Sequence, residues 1–205
     1  MRFFVIDSPF MRFLARIGDL LLLNLIFVIS CIPVITAGSA ISALYAVAMK
    51  LVRGDEPSVI KDYVKAFVMN FKEATAVFII LAAAGGLLFV DFRFIGLIGG
   101  GMYQALKLLL GVILGIWLLI LQYVFPYIGR FRSSVLQSLK NALFLSAAHI
   151  PSTVMLLGMS IGLFVITLYT SRTFVVGTIL WTLFGFAFLA YVQSFLLCRI
   201  FSKYE

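Results

Sequence analysis

Apolar runs long enough to enter a bilayer recur along the whole chain, and each ends at a small cluster of charge, glycine or proline. The first run covers about 17–32 and stops at Pro33, because proline has no amide hydrogen and clashes one turn back. Gly38 and Ser39 open a second run over 39–52. Further runs cover 74–92, 104–127, 150–169 and 174–201. A helix needs about 20 apolar residues to cross the hydrocarbon core. The pattern therefore predicts six transmembrane helices, the first two short for a full span.

Two stretches read differently. Over 57–72, Ile60, Val64, Phe67 and Phe71 recur at helical spacing while Lys61, Asp62, Lys65 and Lys72 fall between them. Over 133–147, Val135, Leu139, Ala142 and Leu143 repeat the arrangement around Lys140. Both predict amphipathic helices lying on the membrane surface, with Pro57 behind Asp55 and Glu56 as the start of the first. Residues 1–16 alternate phenylalanine with Arg2, Arg12 and Arg16 and read as an interfacial lead. The cationic start and apolar core resemble a signal peptide, but a retained first helix is expected, since cleavage would leave the second without a partner. SVIKDYVKAF at 58–67 aligns with SVLQSLKNAL at 134–143, with three identities, and shared amphipathic patterning explains this as well as duplication does.

Composition fixes the class. Of 205 residues, 63% are hydrophobic and 12% charged, and mean hydropathy is +1.16. Soluble domains carry roughly a quarter charged residues. The fold class is thus all-α: a polytopic membrane bundle in one domain, 1–205. The net charge of +8 does not point to nucleic acid, because the cations flank apolar runs. With six crossings and both termini cytoplasmic, every lysine and arginine falls inside except Arg93, Lys107 and Arg172, as positive-inside orientation requires. A single crossing by 17–50 would spoil that asymmetry.

Little in the chain carries chemistry. Cys31 and Cys198 are far apart, and His149 is the sole histidine, so neither a metal centre nor a disulfide framework is expected. No Walker A sequence, G-x-S-x-G or H-E-x-x-H occurs, and no cofactor or enzymatic activity is expected. Helix centres hold polar but uncharged residues, Asn24, Gln122, Gln193 and Thr182, which fit interhelical hydrogen bonds better than a solute path. Trp117 and Trp181 sit near helix centres and read as packing residues rather than sugar platforms. Gly111 with Gly115 and Gly158 with Gly162 match the close-packing pattern and are expected to serve contacts within the chain; Gly96 with Gly100 reads as a turn. His149-Ile150-Pro151 reads as an interfacial histidine ahead of a helix start.

The run Asn24…Cys31-Ile32-Pro33-Val34-Ile35-Thr36-Ala37-Gly38…Ala43-Leu44-Tyr45, followed by Lys50-Leu51-Val52-Arg53-Gly54, resembles the YesL family of small bacterial membrane proteins. So do Asp62-Tyr63…Phe67…Asn70-Phe71-Lys72 and Tyr127…Arg130-Phe131…Leu139-Lys140-Asn141-Ala142…His149-Ile150-Pro151…Thr153. Tyr63 departs from the family's phenylalanine or tryptophan, an aromatic exchange. The resemblance implies a multi-pass protein of the plasma membrane, associated with carbohydrate uptake in Gram-positive bacteria. It implies an accessory subunit beside the permease of an oligosaccharide ABC importer; the alternative is a stand-alone carrier or channel working as a homo-oligomer. The family defines no catalytic residue, so Asn24, Pro33, Thr36, Gly38 and Tyr45 stand as a structural signature. Lys61, Lys65, Phe67, Phe71, Arg130, Arg132 and Lys140, on the two amphipathic stretches, are the candidate partner contacts.

Overall fold

The computed structural model describes residues 9–95 and 101–204, and among them every regular element is helical. In chain order these are α1 (Pro9–Ser30), a short 3-10 turn (Val34–Thr36), α2 (Ala37–Arg53), α3 (Val59–Phe94), α4 (Gly101–Arg130), α5 (Val135–Ala148), α6 (Ile150–Leu168), α7 (Ser171–Leu180), a π turn (Trp181–Gly185) and α8 (Phe186–Phe201). Among the described residues, six helical stretches are long and apolar enough to cross a membrane: Phe10–Ser30, Val34–Arg53, Val59–Phe94, Tyr103–Arg130, Ile150–Leu168 and Ser171–Phe201. The interfacial lead falls partly outside the described residues; from Pro9 onward it is already α1.

Helix α2 is the centre of the bundle. Its sequence, AGSAISALYAVAMKLVR, is rich in residues small enough for neighbours to approach from several sides. Gly38, Ser39, Ala40, Ser42, Ala43, Val47 and Ala48 are all buried. Antiparallel packing on α3 is pinned by Ser39 Oγ donating to Phe67 O (2.8 Å), Asn70 Nδ2 donating to Ser42 Oγ (3.0 Å) and Lys50 Nζ on Asp62 Oδ1 (2.7 Å). The other side of α2 meets α4 at Gly129, where a Cβ would lie 2.6 Å from Ser42 O. Helix α2 ends at Gly54, whose φ of 79° is the left-handed cap that glycine adopts without strain.

Residues 57–72 do not form a separate surface helix. They are continuous with the expected third span in α3, 36 residues from Val59 to Phe94, with Ser58 as cap. Nothing between Val59 and Ala84 breaks a helix, and the change from charged to apolar composition at Ala74 does not break one either. At 1.5 Å per residue α3 is about 54 Å long, well beyond a hydrocarbon core of about 30 Å. Of the apolar stripe read from the sequence, Ile60, Val64 and Phe71 face away from the bundle and Phe67 is half-buried against it. Val59, Tyr63, Ala74, Val77 and Leu81 are buried, whereas Val68 joins the exposed residues.

The second amphipathic stretch is a helix of its own, α5, because Pro151 stands where α3 has Thr75. Here the chain bends at His149 before α6 continues. Thr153 Oγ1 lies 2.9 Å from Ser146 O, 3.0 Å from His149 O and 2.9 Å from the Tyr123 hydroxyl, so it ties α5, α6 and α4 across the bend. Under the offset that aligns 58–67 with 134–143, Val59 falls on Val135 and the end of α3 falls near the end of α6. The chain thus contains two hairpins of the same orientation, α2–α3 and α4–α5–α6.

Helix α4 runs through Pro126 to Arg130, past the expected end near Tyr127. Gly111, Gly115, Gly158 and Gly162 have open space where a Cβ would stand, so these pairs are not points of close helix packing among the described residues; Gly96 with Gly100 lies outside the described residues. Close packing is made instead by Gly38, Gly85, Gly129 and Gly177. Gly85 receives the Trp117 ring, whose Nε1 donates to Leu81 O (2.9 Å).

Candidate functional site

Two polar constellations stand out against the apolar bundle. The first is a closed ring of side chains from four helices. Gln122 Nε2 (α4) donates to Gln193 Oε1 (3.2 Å), Gln193 Nε2 (α8) donates to Ser160 Oγ (2.8 Å), and Ser160 Oγ (α6) lies 3.4 Å from Gln122 Oε1. The Tyr45 hydroxyl (α2) donates to the same Gln193 oxygen, and Gln193 Nε2 also reaches Leu156 O (3.2 Å). Gln193 is fully buried. The partners satisfy one another, so the ring joins four helices and offers no open donor row to a passing solute.

The second is a cleft of about 350 Å³ between the end of α2, the start of α3 and the end of α4. Lys50, Arg53, Asp62, Lys65, Asn70, Arg130 and Arg132 line it, over walls that include Val47, Met49, Ala66, Ile128 and Phe131. Asp62 is held by Lys50, and Arg53 Nε lies 3.1 Å from Asp55. Arg130 is half-buried, with a guanidinium nitrogen 3.8 Å from Cys198 Sγ, and Arg132 reaches towards Met69 Sδ at 3.8 Å. The helix order places the cleft at the cation-rich end of the bundle, opposite Arg93, Lys107 and Arg172.

Of the candidate contacts, Lys65, Arg130 and Arg132 converge in this cleft. Lys61, Phe71 and Lys140 are exposed outside it. Phe67 is half-buried and packs on the core, with its ring 6.2 Å from Tyr63 and 5.8 Å from Phe71. Sequence reasoning missed Lys50 and Arg53 as members of the cleft. Their signal is position, since both lie in the last turn of a helix whose neighbours begin and end at the same level.

The signature residues all shape the α1–α2 unit. Pro33 precedes the 3-10 turn that separates the helices. Thr36 Oγ1 bridges Ser30 O (2.6 Å) and Pro33 O (2.7 Å), closing that turn. Gly38 lets α2 lie against Ala74 and Phe78, and Tyr45 joins the glutamine ring. Asn24 reaches further. Its Nδ2 donates to Trp181 O (3.1 Å) and Thr182 O (2.7 Å), and its Oδ1 accepts from Ala187 N (2.9 Å), across the π turn.

Residues 20–92 match the family described as Protein of unknown function, DUF624. That family includes YesL-like small membrane proteins. No curated protein and no solved structure matches the chain. The matched region covers α2, the second half of α1 and nearly all of α3, including all five signature residues and the first two walls of the cleft.

Both tryptophans in the bundle are engaged internally. Trp181 Nε1 donates to Thr167 Oγ1 (2.9 Å), and the ring stacks on Phe164 at 4.9 Å. No group of three or more potential metal ligands occurs among the described residues. Cys31 sits in the turn within the DUF624 region, where burial pushes its thiol up to about 11. Since the thiolate is the nucleophile, its reactive fraction at pH 8 is lower than that of an ordinary cysteine by roughly two orders of magnitude. Maleimide labelling of Cys31 in a Cys198→Ser background is expected to be slow at pH 7–8 and to rise about tenfold per pH unit up to the thiol pKa. Rapid labelling at pH 7 would show an accessible, ordinary thiol.

Proposed function

We propose that the protein is an accessory integral-membrane subunit that packs beside the permease of a carbohydrate importer and aids its assembly or gating. In this reading it resides in the plasma membrane with both termini and the cation-rich end in the cytoplasm, the orientation favoured by the positive-inside rule. One observation carries the reading. Along the charged first part of α3, Ile60, Val64, Val68 and Phe71 form an exposed apolar stripe between Lys61, Lys65 and Lys72, with Val68 67% exposed. A stripe of that kind, bordered by lysines on a helix longer than a bilayer needs, fits a partner helix. Leu136, Leu143 and Phe144 extend the exposed apolar surface on α5. The closed glutamine ring supports a role without its own solute path, and the resemblance to the YesL family supplies the importer as partner.

The test is purification of the tagged protein from native membranes in mild detergent, with identification of the chains that accompany it. Permease subunits at comparable amount are expected. Val64→Asp with Val68→Asp should reduce their recovery at least tenfold while leaving the protein's own level unchanged. Recovery of the protein alone, together with normal oligosaccharide uptake in a deletion strain, would sink the proposal. The open Gly111–Gly115 and Gly158–Gly162 faces favour a second reading, a carrier working as a homo-oligomer. A single homo-oligomer in the same purification, and sugar flux in vesicles holding only this protein, would select it.

A further inference from the structure

Five cations and one carboxylate line the cleft between the end of α2, the start of α3 and the end of α4. Independently of the importer reading, we propose that this cleft binds a phosphate-bearing anion, either the headgroup of an anionic phospholipid or a soluble phosphate ester.

The charges are gathered by tertiary structure rather than by one basic segment. Lys50 and Arg53 close α2, Lys65 lies in the second turn of α3, and Arg130 and Arg132 leave the end of α4. Lys61, Lys140, Arg199 and Lys203 are at the same end yet outside the lining. The single acid in the lining, Asp62, is held by Lys50 at one edge, and Asp55 outside the lining pairs with Arg53, so two carboxylates face five cations. Cations brought together above Val47, Met49, Ala66, Ile128 and Phe131 repel one another through a low-dielectric wall, and a bound anion reverses that repulsion.

Phosphate uses the donors more fully than a carboxylate does. Arginine forks bind either anion through paired hydrogen bonds, but a phosphate ester offers more anionic oxygens and more charge to three arginines and two lysines. A volume of about 350 Å³ lies at the small end of the range for ligand pockets, roughly 300–1,000 Å³. That accommodates a phosphate with a small polar headgroup. Met69 and Val68 on the adjoining surface are exposed and apolar, as the rim of a lipid site would be. Basic pockets between membrane helices on the cytoplasmic side are where anionic headgroups dock.

The experiment uses the full-length protein, delipidated in a neutral detergent and titrated in native mass spectrometry. The probes are phosphatidylglycerol, phosphatidylcholine, glycerol 3-phosphate and inorganic phosphate. Phosphatidylglycerol or a phosphate ester is expected to bind, and phosphatidylcholine is not. Arg130→Gln with Arg132→Gln should weaken binding at least tenfold, the loss of two charge-assisted contacts. Lys140→Gln with Lys203→Gln, at the same end but outside the cleft, should change it less than twofold. Equal weakening by the two double variants would reduce the effect to surface charge and overturn the proposal. So would unchanged binding in the cleft variant, or no binding of any phosphate probe. If Arg130→Gln prevents folding, Arg132→Gln alone must weaken binding severalfold, and its failure to do so also overturns the proposal. Competition by glycerol 3-phosphate or inorganic phosphate assigns the site to a soluble ester, whereas displacement only by phosphatidylglycerol assigns it to the headgroup.

Discussion

Gly38→Leu and Gly129→Leu are each expected to abolish the folded bundle, whereas Gly111→Leu and Gly158→Leu leave it folded. A Cβ at Gly38 would overlap the Ala74 carbonyl oxygen and lie 2.6 Å from the Phe78 Cβ. A Cβ at Gly129 would stand 2.6 Å from Ser42 O and 3.2 Å from Ala46 N. Backbone atoms dominate both clashes, so no change of rotamer relieves them. The whole of α3 or α4 would have to move away from α2, opening the contacts of the most buried helix in the bundle. Overpacking by even one or two carbons costs about 1–3 kcal/mol, and leucine adds four against a total stability of roughly 5–15 kcal/mol. Monodisperse protein after detergent extraction, followed on a sizing column, should fall at least tenfold for the two clashing variants. Recovery at the normal level with an unchanged unfolding temperature would show that the α2 packing tolerates separation. The two controls matter because Gly111 and Gly158 sit in better sequence matches to the close-packing pattern and yet have open space around them.

That contrast shows which information the sequence carries. Membrane spans were legible because water and lipid read composition over about 20 residues, and all six spans appear near their expected positions. Pro33 marked the α1–α2 break, since its missing amide leaves little alternative. Faces of helices were less legible. In water an apolar stripe must turn inwards, but in or near a bilayer the outside is apolar too. Ile60, Val64 and Phe71 therefore faced out while the neighbouring Val59 and Tyr63 were buried. The same ambiguity hid the glycines that pack: Gly38 and Gly129 stand alone, and their partners are a carbonyl and a helix backbone that no residue pattern announces. The continuous α3 was missed because composition changes at Ala74 whereas backbone propensity does not.

The basic cleft was partly visible. Lys65, Arg130 and Arg132 stood out as cations on exposed segments, but some 65 residues separate the first from the others. Only the packing of α2 between α3 and α4 brings them together, and it adds Lys50 and Arg53 from the helix between. The glutamine ring was legible in kind and not in membership. Gln122 and Gln193 were expected to bond across helices, while Tyr45 and Ser160 joined them through a register that depends on where α6 begins after the bend at His149.

Asn24→Leu is expected to destabilise the bundle by about 2–3 kcal/mol, the sum of three buried hydrogen bonds at the modest values found inside membranes. The structural reason is specific. The Asn24 side chain is an amide, and it enters the backbone ladder of the last helix like an extra peptide group. Its oxygen accepts from Ala187 N while its nitrogen donates to Trp181 O and Thr182 O. An inserted donor and acceptor of that kind widen a helix locally, and the widened turn runs from Trp181 to Gly185. Leucine of similar size removes both functions and leaves the ladder to close on its own. The unfolding temperature in detergent should fall by about 5–10 °C for a chain of this length. Asn24→Asp should fare no better, since a carboxylate keeps the acceptor but loses the donor and sits in a buried site. If Asn24→Leu unfolds at the normal temperature, the π turn belongs to α7 and α8 themselves and Asn24 merely follows it. If stability falls as expected, one residue in the matched region holds the shape of the last helix, so α1 and α8 must fold as partners despite the separation of 157 positions between Asn24 and Trp181.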